Sequence, residues 1–208
     1  MRLVCLSDTH GLHREVRLPP GDVLVHAGDL SAHGRLDEVA SFLNWFSEVG
    51  NYRHRVLIAG NHDFLFERSP ALAEGLIPEN VHYLNDSGVT LEGLSFWGSP
   101  VTPVFHHWAF NRNEAEIAEH WARIPEPLDV LITHGPSHGV LDRVLPERRS
   151  VGCPELAKVI RRVRPRFHVF GHIHEGYGSE ESGGTRYLNV SICNAAYRPT
   201  NSPVVVEL

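Results

Sequence analysis

Five short apolar runs in this chain end alike, each breaking off into aspartate, asparagine or histidine. They are RLVCLSDTH (2–10), GDVLVHAGD (21–29), HRVLIAGNHD (54–63), LDVLITHG (128–135) and FHVFGHIH (167–174). Unbroken aliphatic runs, lacking the alternation of a half-exposed strand, predict strands covered on both faces of a sheet. Helical spacing fills the gaps. In DEVASFLNWFSEV, Val39, Phe42, Leu43 and Phe46 share one helical face. In CPELAKVIRRVRP, Leu156, Val159, Ile160 and Val163 do the same, with Pro154 suited to the first turn and Pro165 ending the run. Asn113 and Glu116 have capping-box spacing at the head of NEAEIAEHWARI. The stretch 81–105 and the tail segments TRYLNVSI and SPVVVEL read as further short strands with turns. Strands alternating with helices predict an α/β sandwich of mixed sheets. No repeat, low-complexity tract or linker interrupts residues 1–208, which read as one domain.

The polar ends of the strands carry the chemistry. They supply Asp8 and His10 from D-x-H, Asp29 from G-D, Asn61, His62 and Asp63 from G-N-H-D, His134 from T-H-G, and His172 and His174 from G-H-x-H. In α/β sheets, sites form beyond the carboxyl ends of the strands, so five separate segments can converge there. Residues two apart on extended chain point the same way, which predicts that D-x-H and H-x-H each present two side chains together. Glycines precede Asp29, Asn61 and His172, where sharp turns or close backbone approach are expected. Carboxylates, imidazoles and one amide oxygen make a mixed nitrogen–oxygen donor set, suited to Mn, Fe or Zn and too rich in nitrogen for calcium. Seven candidate ligands exceed one tetrahedral ion and suit two divalent ions sharing a bridge, an arrangement that grips phosphoryl oxygens.

The ordered series D-x-H, G-D, G-N-H-D, T-H-G, G-H-x-H resembles the calcineurin-like metallophosphoesterases. Longer stretches, THGPSHG, FGHIHEGYG and CNAAYRPTNSPVVVEL, resemble a small branch of that family related to vertebrate brain metallophosphoesterase-domain proteins. The resemblance implies two packed mixed β-sheets flanked by helices. It implies that Asp8, His10 and His174 hold a first metal, that Asn61, His134 and His172 hold a second, and that Asp29 bridges both. His62 is implied to contact the phosphate and to protonate the leaving oxygen, with hydroxide between the ions as the attacking group. Asn61 is implied at the substrate as well. Phosphodiesterase activity of broad specificity is the expectation, with 2′,3′-cyclic nucleotides a candidate substrate class and Mn the favoured metal. Phosphomonoesterase or nuclease action on the same frame is the alternative, and a non-catalytic interaction scaffold is a further one.

Other residues near these motifs invite a role. Asp63 reads either as a partner that orients the His62 imidazole or as a structural group capping the next helix, the structural reading being preferred. Trp108 and Phe105, in the aromatic segment SPVTPVFHHWAFNRN with His106 and His107, form a candidate lip where a nucleobase could stack, against a default of plain packing. His138 lies near a ligand loop and is a candidate substrate contact. Arg148 and Arg149 read either as contacts for a phosphate tail or as solvated charges, the latter being preferred, and His13, His26, His33, His54, His82, His120 and His168 as core or surface histidines.

Bulk properties narrow the partners. A net charge of −6 and the lack of a basic stripe argue against a broad nucleic-acid or membrane surface, leaving a small phosphoester as the expected partner. Three widely spaced cysteines do not make a disulfide framework. With neither a signal-peptide core nor an apolar run of about 18 residues, the expected location is the cytoplasm. Oligomeric state is left open.

Overall fold

The computed structural model describes residues 1–208. Its first half holds β1 (Arg2–Leu6), β2 (Val23–Ala27), α1 (Leu36–Glu48), β3 (His54–Ile58), α2 (Phe64–Arg68), α3 (Pro70–Glu74) and β4 (His82–Tyr83). Next come β5 (Ser87–Leu91), β6 (Leu94–Ser99), β7 (Thr102–Pro103), β8 (Asn111–Arg112), α4 (Glu114–Ala122) and β9 (Val130–Thr133). The remainder is β10 (Arg143–Val144), β11 (Arg149–Ser150), α5 (Pro154–Val163), β12 (Phe167–Phe170), β13 (Gly178–Ser182), β14 (Thr185–Asn189) and β15 (Val204–Glu207).

Two mixed sheets result. One has the order β15-β1-β2-β3-β4, the other β13-β14-β12-β9-β6-β5. Inner strands pair in parallel, and the antiparallel members, β15, β13 and β5, lie at the edges. The residues of each inner strand alternate between two apolar layers. Leu3 and Cys5 join Val25, Ile58, Val130, Ile132 and Val169 between the sheets. Val4, Leu6, Leu24 and Leu57 instead meet Val39, Phe42, Leu43 and Phe46 of α1. On the far side Leu131 and Phe170 meet Ile117 and Trp121 of α4 and Leu156 and Ile160 of α5. Each strand is therefore buried on both faces, which is why its sequence shows no alternation. The α/β class and the paired sheets flanked by helices are as expected. Asn113 caps α4 by accepting from the backbone N–H groups of Ala115 and Glu116.

The parallel strands β1, β2 and β3 of one sheet, and β9 and β12 of the other, all run toward one end of the sandwich. Their exits share that rim. Stitches hold the two rims together: Ser7 N–H donates to Val190 O at 3.0 Å, and Ile192 N–H donates to Ser7 O at 3.0 Å.

Two buried histidines of the core make the fold acid-sensitive. Burial pushes His26 and His168 down to about 3 from the ordinary 6.5. An unfolded chain takes up these protons near 6.5, so stability is whole above that value and falls as pH drops through the interval. Urea unfolding of chelator-treated protein is expected to show a loss of about 2 kcal/mol per histidine between neutrality and about pH 5. Equal stability at the two pH values would show that these rings find protonated forms inside the fold.

Candidate metal centre and cleft

At the shared rim the polar strand ends meet. One cluster gathers donor atoms of Asp8, His10 and His174, and another those of Asp29, His134 and His172; within each, the atoms lie within 4.8 Å of one another. Asn61 joins the second, its Oδ1 2.8 Å from His134 Nε2. Asp29 stands between them. Its Oδ2 is 3.4 Å from His134 Nε2 and 3.9 Å from His10 Nε2. His62 Nε2 is also 3.9 Å from that oxygen, and His10, Asp29 and His62 form a third group of the same dimension. All seven residues named as ligands, with His62, thus occupy one neighbourhood.

The backbone reaches this arrangement by a route the spacing did not predict. Asp8, His10, Asp29 and His172 have φ of 53°, 42°, 56° and 67°, so the chain is left-handed, not extended, at four of the seven. Such residues carry about 1–3 kcal/mol of strain each and persist only where surrounding structure holds them. His172 and His174 do reach one centre and divide between its two clusters, as the resemblance implies, but through turned instead of extended backbone. His172 joins the cluster of Asp29 and His134, whereas His174 opens a turn of 3-10 helix and joins Asp8 and His10. Asp8 and His10 do share a cluster, through turned backbone.

Close approach explains all three glycines, Gly60 included, where a Cβ would collide with Asp29 N and Oδ1. Gly28 sits at φ +95°, and a Cβ there would come within 2.6 Å of Ala59 O and of His134 Nδ1. At Gly171 a Cβ would collide with Asp8 Oδ2 and Ser7 Oγ.

Hydrogen bonds aim the donors. Ser7 and Ser191 hydroxyls donate to Asp8 Oδ2 at 2.5 and 2.6 Å, and the His172 N–H donates to the same carboxylate at 3.1 Å. His134 Nδ1 donates to Ala27 O at 3.0 Å and His174 Nδ1 to Asn194 O at 3.0 Å, which turns each Nε2 toward the centre. His62 Nδ1 donates to Ala32 O at 2.7 Å, leaving its Nε2 over Asp29. These carbonyl partners have no sequence signature and were missed, as were Ser7 and Ser191.

The electrostatics fit a cation. Burial alone would raise the Asp8 and Asp29 carboxyls, but the imidazoles beside them hold both below the usual carboxylate range. Burial would likewise depress His134, yet the charge and hydrogen bond of Asp29, with Asp8, raise it to about 9. His172 is lowered to about 4 by burial and by His134. Ionised carboxylates therefore face imidazole nitrogens, with His10 Nε2 and His174 Nε2 only 3.3 Å apart. Two such nitrogens and two carboxylates are what divalent ions bind, displacing any proton present. Asp8, His10 and His174 would hold one ion, Asn61, His134 and His172 the other, and Asp29 both.

Beside the centre lies a cleft of about 680 Å³. Asp29, Asn61, His62, His172 and His174 form its floor, and Phe105, Trp108, Val144, Val151 and Tyr197 much of its walls. Arg149 is on the lining, exposed as expected of a solvated charge yet facing the cleft. Tyr197, unremarked in the sequence, packs against the rings of His10 and His174 at 4.8 and 5.1 Å. Trp108 does line the cleft, but its ring stacks on His62, with centroids 4.2 Å apart. His138 is exposed and off the lining, because its N–H is tied to Cys153 O on the neighbouring loop; its expected substrate contact finds no support. Asp63 neither orients His62 nor caps α2. Its buried carboxylate accepts from the N–H groups of Leu30, Ser31 and Gly60 and from the Ser31 hydroxyl, locking the loop after β2 to the loop after β3.

Comparison with known proteins identifies the family and the fold. Residues 1–176 match the family model described as calcineurin-like phosphoesterase. Metallophosphoesterase domain-containing protein 1 of Homo sapiens is 42% identical over 233 residues, which span 100% of this chain and 71% of that protein; its Mus musculus counterpart gives the same figures. Among solved structures, phosphopantetheinyl hydrolase (PptH) from Mycobacterium tuberculosis superposes with a TM-score of 0.63 at 17% identity, covering 97% of this chain and 95% of that one. TT1561 of Thermus thermophilus superposes with a TM-score of 0.60 at 16% identity, over 90% and 88%. No helix is long and apolar enough to cross a membrane. From strand ends, donor clusters and these likenesses together, the chain belongs to the calcineurin-like phosphoesterase family, whose members are metal-dependent phosphoester hydrolases.

Proposed function

We propose that this protein is a phosphodiesterase of broad specificity, with 2′,3′-cyclic nucleotides among its substrates and Mn as the favoured metal, Fe or Zn serving in its place. The observation that carries the diester reading is the make-up of the cleft. Arg149 is the one arginine or lysine on its lining, and beside Glu175 and Ser150 the walls carry the apolar and aromatic side chains of Val104, Phe105, Trp108, Val144, Val151 and Tyr197. A diester bears a single negative charge and two organic substituents, so it needs few cations and uses apolar walls on both sides of phosphorus. A monoester dianion calls for more positive side chains than this cleft offers.

When bound, two divalent ions supply an activated water and take up charge on the phosphoryl oxygens. The chain's own residues do the rest. Asp8, Ser7 and Ser191 keep one carboxylate fixed, and Asn61 brings an amide both to the centre and to the cleft floor. His62, its Nδ1–H held by Ala32 O, presents Nε2 to the leaving oxygen and, as the doubly protonated imidazolium, donates the Nε2 proton there and is left as the neutral ring. Phe105 and Tyr197, half exposed at the mouth, offer flat apolar surface to a base or other substituent. The negative chain and the small cleft favour a small-molecule partner over a nucleic-acid surface. Three buried, unpaired cysteines suit a cytoplasmic setting.

The test compares Mn-loaded protein on bis-p-nitrophenyl phosphate, p-nitrophenyl phosphate and 2′,3′-cyclic AMP. Turnover of both diesters, with the monoester slower by about 10-fold or more, is the expected result, a difference of about 1.4 kcal/mol in barrier. A monoester preference would make the protein a phosphatase. Inactivity on all three with metal bound would favour a scaffold.

A further inference from the structure

Trp108 lies flat against His62, the rings 28° from parallel, and the segment carrying it is bolted to the loop that carries His62. The Ala109 N–H donates to Asn61 O at 3.2 Å, and the Phe110 N–H donates to a Glu67 carboxylate oxygen on α2 at 2.6 Å. Asn111 braces the segment from within. Its amide donates to the carbonyls of Phe105 and His106 at 3.2 Å each. Behind Trp108 stands Phe64, 5.8 Å away and also 28° from parallel, with the Arg68 guanidinium 4.2 Å from the Phe64 ring centre. The wall and the ring it touches are thus parts of one unit.

A single hydrogen bond fixes one atom of an imidazole and leaves the ring plane free to swing about it. The Nδ1 bond to Ala32 O is the one hydrogen bond of the His62 ring, and His10 meets that ring only edge-on, centroids 4.7 Å apart. Asp63, the carboxylate next in sequence, is occupied elsewhere. A flat surface against one face removes the remaining freedom, because the ring can tilt only by breaking contact with the indole. Proton transfer needs the donor nitrogen aimed at the leaving oxygen within hydrogen-bond reach, so the plane of the ring matters as much as its position.

We infer that Trp108 is a positioning residue for the proton donor, holding the His62 ring so that Nε2 faces the leaving oxygen, instead of serving chiefly as a platform for a substrate base. The role rests on the general-acid reading of His62. It makes a claim that base stacking does not: the benefit of Trp108 should scale with how much the departing group needs a proton.

The test uses Mn-loaded protein and methyl aryl phosphodiesters whose phenols range from p-nitrophenol to unsubstituted phenol, none carrying a nucleobase. Trp108→Leu is expected to lower kcat on the phenyl ester about 10-fold, a part of the full general-acid contribution, and on the nitrophenyl ester less than about 3-fold. Trp108→Phe, which keeps a flat face, is expected to recover most of the loss, with metal content unchanged in both. If the leucine variant melts early, Trp108→Met fills the space without a flat face and takes its place. A uniform loss across the series, a change in KM alone, or a phenylalanine variant no better than leucine would each overturn the proposal. His62→Ala in the same series separates the two layers. If it shows no leaving-group dependence, the general-acid reading falls and the positioning role with it. If it does and Trp108→Leu does not, the positioning role alone is wrong.

Discussion

Asp29→Asn is expected to weaken both metal positions at once and to lower kcat/KM on the order of 10³-fold, since the ions are asked for several kcal/mol of transition-state stabilisation. Its Oδ2 lies between the clusters, near His134 on one side and His10 on the other, so no other single ligand serves both. Asparagine keeps the shape and a carbonyl oxygen, so the His62 N–H that donates to Asp29 Oδ1 at 2.8 Å retains an acceptor. The fold should survive the change for a second reason. Asp63, buried nearby, is pushed up to about 6 by burial and then by the charge of Asp29, and removing that charge relieves it. The check is metal stoichiometry after desalting, read with activity and circular dichroism. A folded variant that kept two tightly held ions and lost less than about 10-fold in rate, roughly one barrier decade, would show that Asp29 does not bridge.

What made this centre readable beforehand was the coincidence of two independent signals. The apolar runs of β1, β2, β3, β9 and β12 declared doubly covered strands, and each broke into donor residues at the same end. Parallel pairing then does the convergence without further instruction, since parallel neighbours have their exits on one rim. The helices α1, α4 and α5 were legible for the ordinary reason that one face of each is buried against a sheet, whereas α2 and α3, five residues each, are too short to show a period. Less was legible where the chain leaves regular structure. Nothing in D-x-H or H-x-H announces left-handed backbone at Asp8, His10 and His172, because even Asp and His, which adopt it more often than other non-glycine residues, are usually found outside it, and here tertiary constraint holds them there. The tautomer-setting partners of His62, His134 and His174 are carbonyls of Ala32, Ala27 and Asn194, and any residue carries a carbonyl. Asp63 illustrates the same limit. Its adjacency to His62 suggested a partnership, but burial turned the carboxylate to three backbone N–H groups that would otherwise go unpaired.

The cleft walls were harder to read than the floor. Phe105, Arg149 and Tyr197 come from segments with no periodic pattern: Phe105 from the loop between β7 and β8, Arg149 from the β10–β11 pair, and Tyr197 from the turn closed by the Cys193–Pro199 bridge. Two-residue strands leave almost no trace in sequence. The floor fixes what bond is attacked, and the walls fix what is attached to it, so a sequence of this family yields the reaction more readily than the substrate.

His62 decides between two chemistries that the distances alone leave level. Its Nε2 is as far from Asp29 Oδ2 as His10 Nε2 is, so by distance it qualifies as a third nitrogen for the bridging carboxylate. Its surroundings say otherwise. The ring is partly open to the cleft, stacked on Trp108 and tethered to Ala32, whereas His10 is packed edge-on against it and faces His174. As proton donor, His62 is expected to leave metal content intact when replaced by alanine, while turnover of 2′,3′-cyclic AMP, whose leaving group is an alkoxide, falls about 10²–10⁴-fold. Bis-p-nitrophenyl phosphate, whose leaving group departs without help, should suffer much less. As ligand, His62→Ala would cost metal and slow both substrates alike. Measuring bound metal and both rates on one preparation therefore separates them: unequal losses with full metal assign the proton to His62, and equal losses with metal gone place it among the ligands.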